Sequence, residues 1–183
     1  MLAGPAGFGE LLISHIFLHH PRAGVEAFIY GGENASLTQA LPETPLHVIG
    51  KAPDLVVFGF GYTDLAFGKD STEVASLLEQ TLSLIILKTA ARICIPFLVP
   101  GFFPGEPERV KCGDINRTVR GMASQRVVPL DLESAAQAFV DEHIHGSGEK
   151  HALHLDYARL TPLGRLFLAH HAYRLIPWPD LDS

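Results

Sequence analysis

The feature that most constrains this chain is a set of four short apolar runs separated by helical patterns. The runs are VEAFIY (25–30), DLVVFGFG (54–61), ICIPFLVP (93–100) and RVVPLDL (126–132). Each is nearly continuous in apolar residues rather than alternating. That is how a strand reads when helices cover both faces of its sheet, the condition of parallel sheets. Between the runs the period changes to that of a helix. Phe8, Leu11, Leu12 and Ile16 share one face of residues 7–20. Val74, Leu77, Leu78, Leu82, Ile85 and Ile86 recur through 71–92, and Leu163, Leu166, Phe167, His170 and Leu175 through 162–176. Residues 111–125 carry a weaker, more polar pattern. Ser71-Thr72-Glu73 reads as a helix cap, and Thr161-Pro162 as an N-cap with proline at the first helical position. Strand–helix alternation predicts βα units, so the expected class is α/β, a single domain over 1–183 with helices on both faces of a parallel sheet.

Composition agrees with that class and narrows the partners. A chain of 183 residues with 47% hydrophobic residues can bury roughly 70% of the surface its unfolded form exposes, so it needs no disulfide staples. The formal net charge is −6, which argues against nucleic acid as a partner. No run reaches the length of a membrane span. The start MLAGPAGFGELLISHIFLHHP lacks a basic region and carries Glu10 just before its apolar run, so it does not read as a signal peptide, and a cytoplasmic location is expected. Cys94 and Cys112 read as reduced thiols. The histidine pairs His19-His20, His143/His145 and His170-His171 read as surface and helix-end side chains, and neither a metal nor another cofactor is expected.

In parallel sheets ligands bind at the carboxyl ends of the strands. Here those ends are YGGENAS (30–36), GFGYTDLAFG (59–68), VPGFFPGEPE (99–108) and DLESA (131–135). Small and polar residues concentrate in them, and glycines open the first two. One detail departs from the usual doubly wound order. The chain opens with a loop and a helix, leaving four strands visible.

In this order the motifs resemble those of the SGNH (GDSL-type) hydrolase superfamily, esterases and lipases on a flavodoxin-like α/β/α fold. FGELLISHIFLHHP resembles the first helix after the nucleophile loop. VEAFIYGGENAS resembles the second block, normally Asn-x-Gly-x-x-Gly after a strand. KAPDLVVFGFGYTD resembles the third block, normally ending in Gly-x-Asn-Asp. DYARLTPLGRLFLA resembles the last block, Asp-x-x-His ahead of a Leu-Thr-x-x-Gly helix start. INRTVRGMASQRVVPLDLESA adds a helix–strand unit, and together the pieces span the whole chain.

The resemblance implies a serine nucleophile, a histidine base oriented by an aspartate three residues earlier, and an oxyanion site of backbone N–H groups and an Asn amide. Several of these positions differ here. No serine occupies the nucleophile turn, whose place falls either before Met1 or at Ala3. In the second block Tyr30 replaces asparagine, Gly32 is kept and Ala35 replaces a glycine. In the third block Thr63 replaces the amide donor, and Asp64 is kept with an expected bracing role. In the last block Asp156 is kept, but Arg159 stands where the histidine belongs. Arginine stays protonated and cannot accept a serine proton. His154 is the best substitute base.

The expectation is therefore an ester-hydrolase relative with weak or absent activity. One alternative is an active acyl-ester hydrolase whose serine lies upstream of Met1 and whose base is a relocated histidine, with secretion expected if the N-terminus is truncated. Another is a non-catalytic module in which Arg159 and the glycine-rich loops bind an anion or a partner segment. Expected ligands are small esters or anions. The family's first strand is missing or replaced, so the runs 25–30 and 54–61 present unpaired edges or close on each other. A homo-oligomer or poor solubility follows from that.

Overall fold

A computed structural model describes residues 7–31, 35–99, 106–143, 153 and 160–178. Its centre is a parallel sheet of three strands, β1 (Leu55–Val57), β2 (Arg92–Pro96) and β3 (Val127–Leu130), in the order β1-β2-β3. Val56 lies opposite Ile93, and Cys94 opposite Val128. The strands are shorter than the apolar runs that contain them. Phe58–Gly61 and Phe97–Val99 continue past their strands into the loops at the carboxyl end.

Seven helices surround the sheet among the described residues: α1 (Phe8–His19), α2 (Leu37–His47), α3 (Tyr62–Ala66), α4 (Ser71–Lys88), α5 (Glu106–Gly121), α6 (Leu132–His143) and α7 (Pro162–Leu175). The alternation of side chains along β2 sorts them into two layers. Ile93 and Ile95 face a core built with Leu37 of α2, Leu65 of α3, Val74, Leu78, Leu82 and Ile85 of α4, and Ile115 and Val119 of α5. Cys94 faces the other core, with Leu12 of α1, Ala136 of α6, and Leu168, Ala169 and Ala172 of α7. The three-layer α/β/α fold is thus as expected. No helix among the described residues is long and apolar enough to cross a membrane.

The run 25–30 corrects the expectation. It is extended but joins no sheet, and Phe28 and Ile29 are 53% and 49% exposed. A strand needs a neighbouring backbone to pair with, and no described residue supplies one here. Its side chains find lesser partners instead. Ile29 lies against Gly9 of α1, and the Lys51 ammonium sits 4.5 Å from the centre of the Phe28 ring.

Two further differences are local. Helix α4 is capped by Asp70 rather than by the Ser71 triplet, its carboxylate accepting from the Glu73 N–H at 2.8 Å. Helix α2 has no counterpart in the sequence reading because Pro42 and Pro45 lie inside it, and internal prolines remove helical hydrogen bonds. Its start compensates. Ser36 and Gln39 form a reciprocal capping box, which satisfies two N–H groups at once.

Candidate functional site

The loops after β1 and β2 meet the start of α2 at the carboxyl end of the sheet. Gly61 opens α3 with φ 124°, a backbone state open to glycine and costly for other residues. A β-carbon there would touch Leu98 and Val74. The turn delivers Tyr62, Thr63 and Asp64 to three different positions. Tyr62 donates to the Val99 carbonyl, fastening the loop after β1 to the loop after β2. Burial pushes its phenol well above the usual range, with Cys112 nearby adding to the shift. Thr63 is half-buried in the first turn of α3.

Asp64 is fully buried. One carboxylate oxygen accepts from the Leu37 N–H at 2.7 Å, and the other from the Thr38 hydroxyl at 3.4 Å. A buried carboxylate at a helix N-terminus satisfies orphan N–H groups and meets the positive end of the helix dipole. Asp64 therefore binds the third sequence block to the second. Ala35 stands half-buried just ahead of Ser36. Gly31, with φ 102°, lets the chain pass so close that a β-carbon on it would lie 3.2 Å from the β-carbon of Ala35. The expected oxyanion residues Ala35, Thr63 and Asp64 are thus gathered at one end of the sheet; Gly32 lies outside the described residues.

A residue missed by sequence reasoning ties in the remaining loops. Asn116 of α5 is buried; its carbonyl oxygen accepts from the Leu98 N–H at 2.7 Å, and its amide donates to the Leu98 carbonyl at 2.8 Å and to Glu133 at 2.9 Å. One side chain so joins the ends of β2, α5 and α6. The weak helical pattern of 111–125 hid it, because a polar residue on an inward face reads as a break in the apolar stripe.

His154, Asp156 and Arg159 lie outside the described residues. The points on either side of them are fixed. The Thr161 N–H donates to the Leu153 carbonyl at 3.0 Å, and the Thr161 hydroxyl accepts from the Gly164 N–H at 3.0 Å. That is the N-cap read from the sequence, with Pro162 first in α7. Gly164 is the fit on which this depends, since a β-carbon there would lie 1.9 Å from the Leu153 carbonyl oxygen.

The histidines of α1 and α7 come together. His15 and His19 are one helical turn apart on α1, and His15 is half-buried rather than on the surface. Its ring lies 5.3 Å from that of His170 and 5.6 Å from Tyr173 of α7, and the Tyr173 hydroxyl is 3.0 Å from the His20 ring nitrogen. Burial first, then His170 and His19, lower the His15 pKa. Among the described residues no group of three or more His, Cys, Asp or Glu side chains is placed to hold a metal ion. Cys94 and Cys112 are buried and not joined to each other. Burial pushes the Cys94 thiol up to about 11, which leaves it unreactive at neutral pH.

Solved structures decide the class of the fold. The acetylxylan esterase Axe2 from Geobacillus stearothermophilus matches 97% of this chain and 84% of its own, with a TM-score of 0.76 and 18% identity. A protein assigned as a GDSL-like lipase from Parabacteroides merdae matches 93% of this chain and 81% of its own, with a TM-score of 0.79 and 11% identity. The chain has the SGNH/GDSL hydrolase fold. In Axe2, catalytic mutants replace a serine, an aspartate and a histidine with alanine, the last two being three residues apart. No family model matches the sequence, and no curated protein matches it.

Proposed function

We infer that this chain is a divergent relative of the SGNH-type ester hydrolases whose own residues support little or no ester hydrolysis. Arg159 carries this reading. It follows Asp156 by three residues and precedes the Thr161 cap, the spacing at which the fold's esterases place an aspartate and a histidine. A guanidinium holds its proton throughout the physiological range, so it offers no general base. Thr63 points the same way. A hydroxyl there is shorter than an amide, and loss of one oxyanion donor costs about 10²–10³ in kcat.

The direct test uses p-nitrophenyl acetate and an acetylated xylo-oligosaccharide. Turnover should not exceed the buffer rate, and a fluorophosphonate probe should leave the intact mass unchanged. Turnover together with a labelled serine would overturn the reading in favour of an active hydrolase with His154 as base. The retained Arg159 also suits a small anion, because its fork of donors matches carboxylate and phosphate oxygens. Acetate and phosphate should then raise the melting temperature of the wild type and not that of Arg159→Gln. Equal shifts in both proteins would remove the anion reading and leave the hydrolase question where the turnover assay put it.

A further inference from the structure

The two edges of the sheet are unlike. Along a strand, successive residues turn their backbone N–H and C=O groups to opposite sides. The Arg126 and Leu130 carbonyls accept from β2, so Val127 and Pro129 face outward on β3. That edge is closed. Val127 donates to the Ser124 hydroxyl at 3.0 Å and accepts from the Ser124 N–H at 2.9 Å, and Pro129 has no N–H to offer. On β1 the Asp54 carbonyl and the Phe58 N–H bond to β2, so Leu55 and Val57 face outward. Nothing among the described residues pairs with them. Their strand is half-buried throughout, whereas Ile93, Cys94 and Ile95 on β2 are buried. No proline, charge or bulge protects β1, and an apolar edge of this kind is a template for another strand.

The chain also carries a strand without a sheet. Residues 26–30 belong to no helix, strand or turn, contain Phe28, Ile29 and Tyr30, and make no backbone hydrogen bond to any described residue. Phe28 lies against Lys51, ahead of β1, and Gly31 near Phe60, after it. An open edge and an unpaired strand former on one chain are complementary to each other.

We propose that two copies of this chain form a closed dimer in which residues 25–31 of each copy add to the β1 edge of the other. The exchange is reciprocal, so one kind of contact is made twice and the assembly closes at two copies. It pairs the outward groups of Leu55 and Val57 and covers Phe28 and Ile29, which the single copy leaves about half exposed.

Sizing with light scattering should give twice the chain mass of 19.9 kDa. Ile29→Lys, at an exposed position, should halve that mass while the circular dichroism of the helices is unchanged. A wild-type monomer, open-ended aggregates, or an Ile29→Lys dimer would overturn the proposal. Cross-linking then identifies the contact. Ile29→Cys chains mixed with Val57→Cys chains should oxidise to a heterodimer, the native thiols being buried. If Val57→Cys does not fold, Gly59→Cys at the exposed position two residues on takes its place. Absence of the mixed disulfide would sink the exchange. A disulfide forming within single Ile29→Cys/Val57→Cys chains, with no dimer, would show that the segment closes on its own edge instead.

Discussion

The runs 25–30 and 54–61 read alike in the sequence, yet only one becomes a strand. Both are apolar, both end in glycine-rich turns, and both lead into a helix, α2 and α3, joined to each other through Asp64. The second is held three ways: β2 pairs with its backbone, Tyr62 fastens its loop to Val99, and Asp64 anchors it to α2. The first is held by side chains alone: a cation over the Phe28 ring, Ile29 against Gly9, and Tyr30 against Glu43 and His47 at the surface. Strand propensity is thus permissive. A residue that suits a pleated surface takes up strand structure only when a backbone lies beside it.

The comparison is broken most directly at Asp64, because its carboxylate is the link on which the two blocks depend. Asp64→Ala leaves the buried Leu37 N–H unsatisfied and removes a helix cap, at a cost of about 3 kcal/mol. For a domain of this size that lowers the melting temperature by about 6–12 °C. Asp64→Asn keeps one acceptor and should lose about half as much. If Asp64→Ala melts with the wild type, the two blocks are not joined through this side chain.

The paired glycines sharpen the contrast. Gly61 and Gly31 both have φ in the glycine region, at 124° and 102°, so alanine carries a similar backbone strain of roughly 1–3 kcal/mol at each. Their surroundings differ. At Gly61 the new methyl enters the core between Leu98 and Val74, and the sheet prevents relaxation. At Gly31 the segment makes no ladder and can shift. In an Ile29→Lys background, where the segment has no partner copy to pair with, urea unfolding should therefore show the full penalty for Gly61→Ala and clearly less for Gly31→Ala. Equal losses would mean that 25–31 is as firmly held as 54–61.

These pairs also show what was legible in the sequence. Continuous apolar runs gave the parallel sheet, and the Thr161-Pro162 pair gave the start of α7. Pairing did not, because it depends on which backbones lie adjacent, and 25–30 has the side chains of a strand without the neighbour. Asn116 was hidden for the opposite reason. Its value lies in three partners from distant loops, and no local pattern records them. Helix α2 was masked by prolines that Ser36, Gln39 and Asp64 offset at the start of the helix.

A smaller effect tests the seam between α1 and α7, from which the segment 25–31 departs. The His15 pKa is lowered by burial and by His170 and His19, and that of His171 by burial, His170 and Arg174. The unfolded chain then binds protons more readily than the folded one at and below the ordinary value of 6.5. Stability is accordingly complete above that pH and declines as the pH falls through it. Both groups are partly exposed, so the decline should be shallow. Denaturant midpoints from pH 7.5 down to pH 5 would show it, and His15→Gln should flatten the slope. A midpoint that rises on acidification would have the wrong sign for this seam.

The smallest effect is expected at Tyr30, whose hydroxyl donates to Glu43 and whose ring stacks on His47 at 4.3 Å. Glu43 raises the phenol pKa by accepting that hydrogen bond, but the pair lies in solvent, where water replaces the lost contact at little cost. Tyr30→Phe keeps the ring stack and removes only the hydroxyl. Its melting temperature should match the wild type within the error of the scan, in contrast to the loss at Asp64. A fall comparable to that of Asp64→Ala would show that this contact fastens 25–31 to α2 as firmly as Asp64 fastens 54–64, and the difference between the two runs would then lie in the sheet ladder alone.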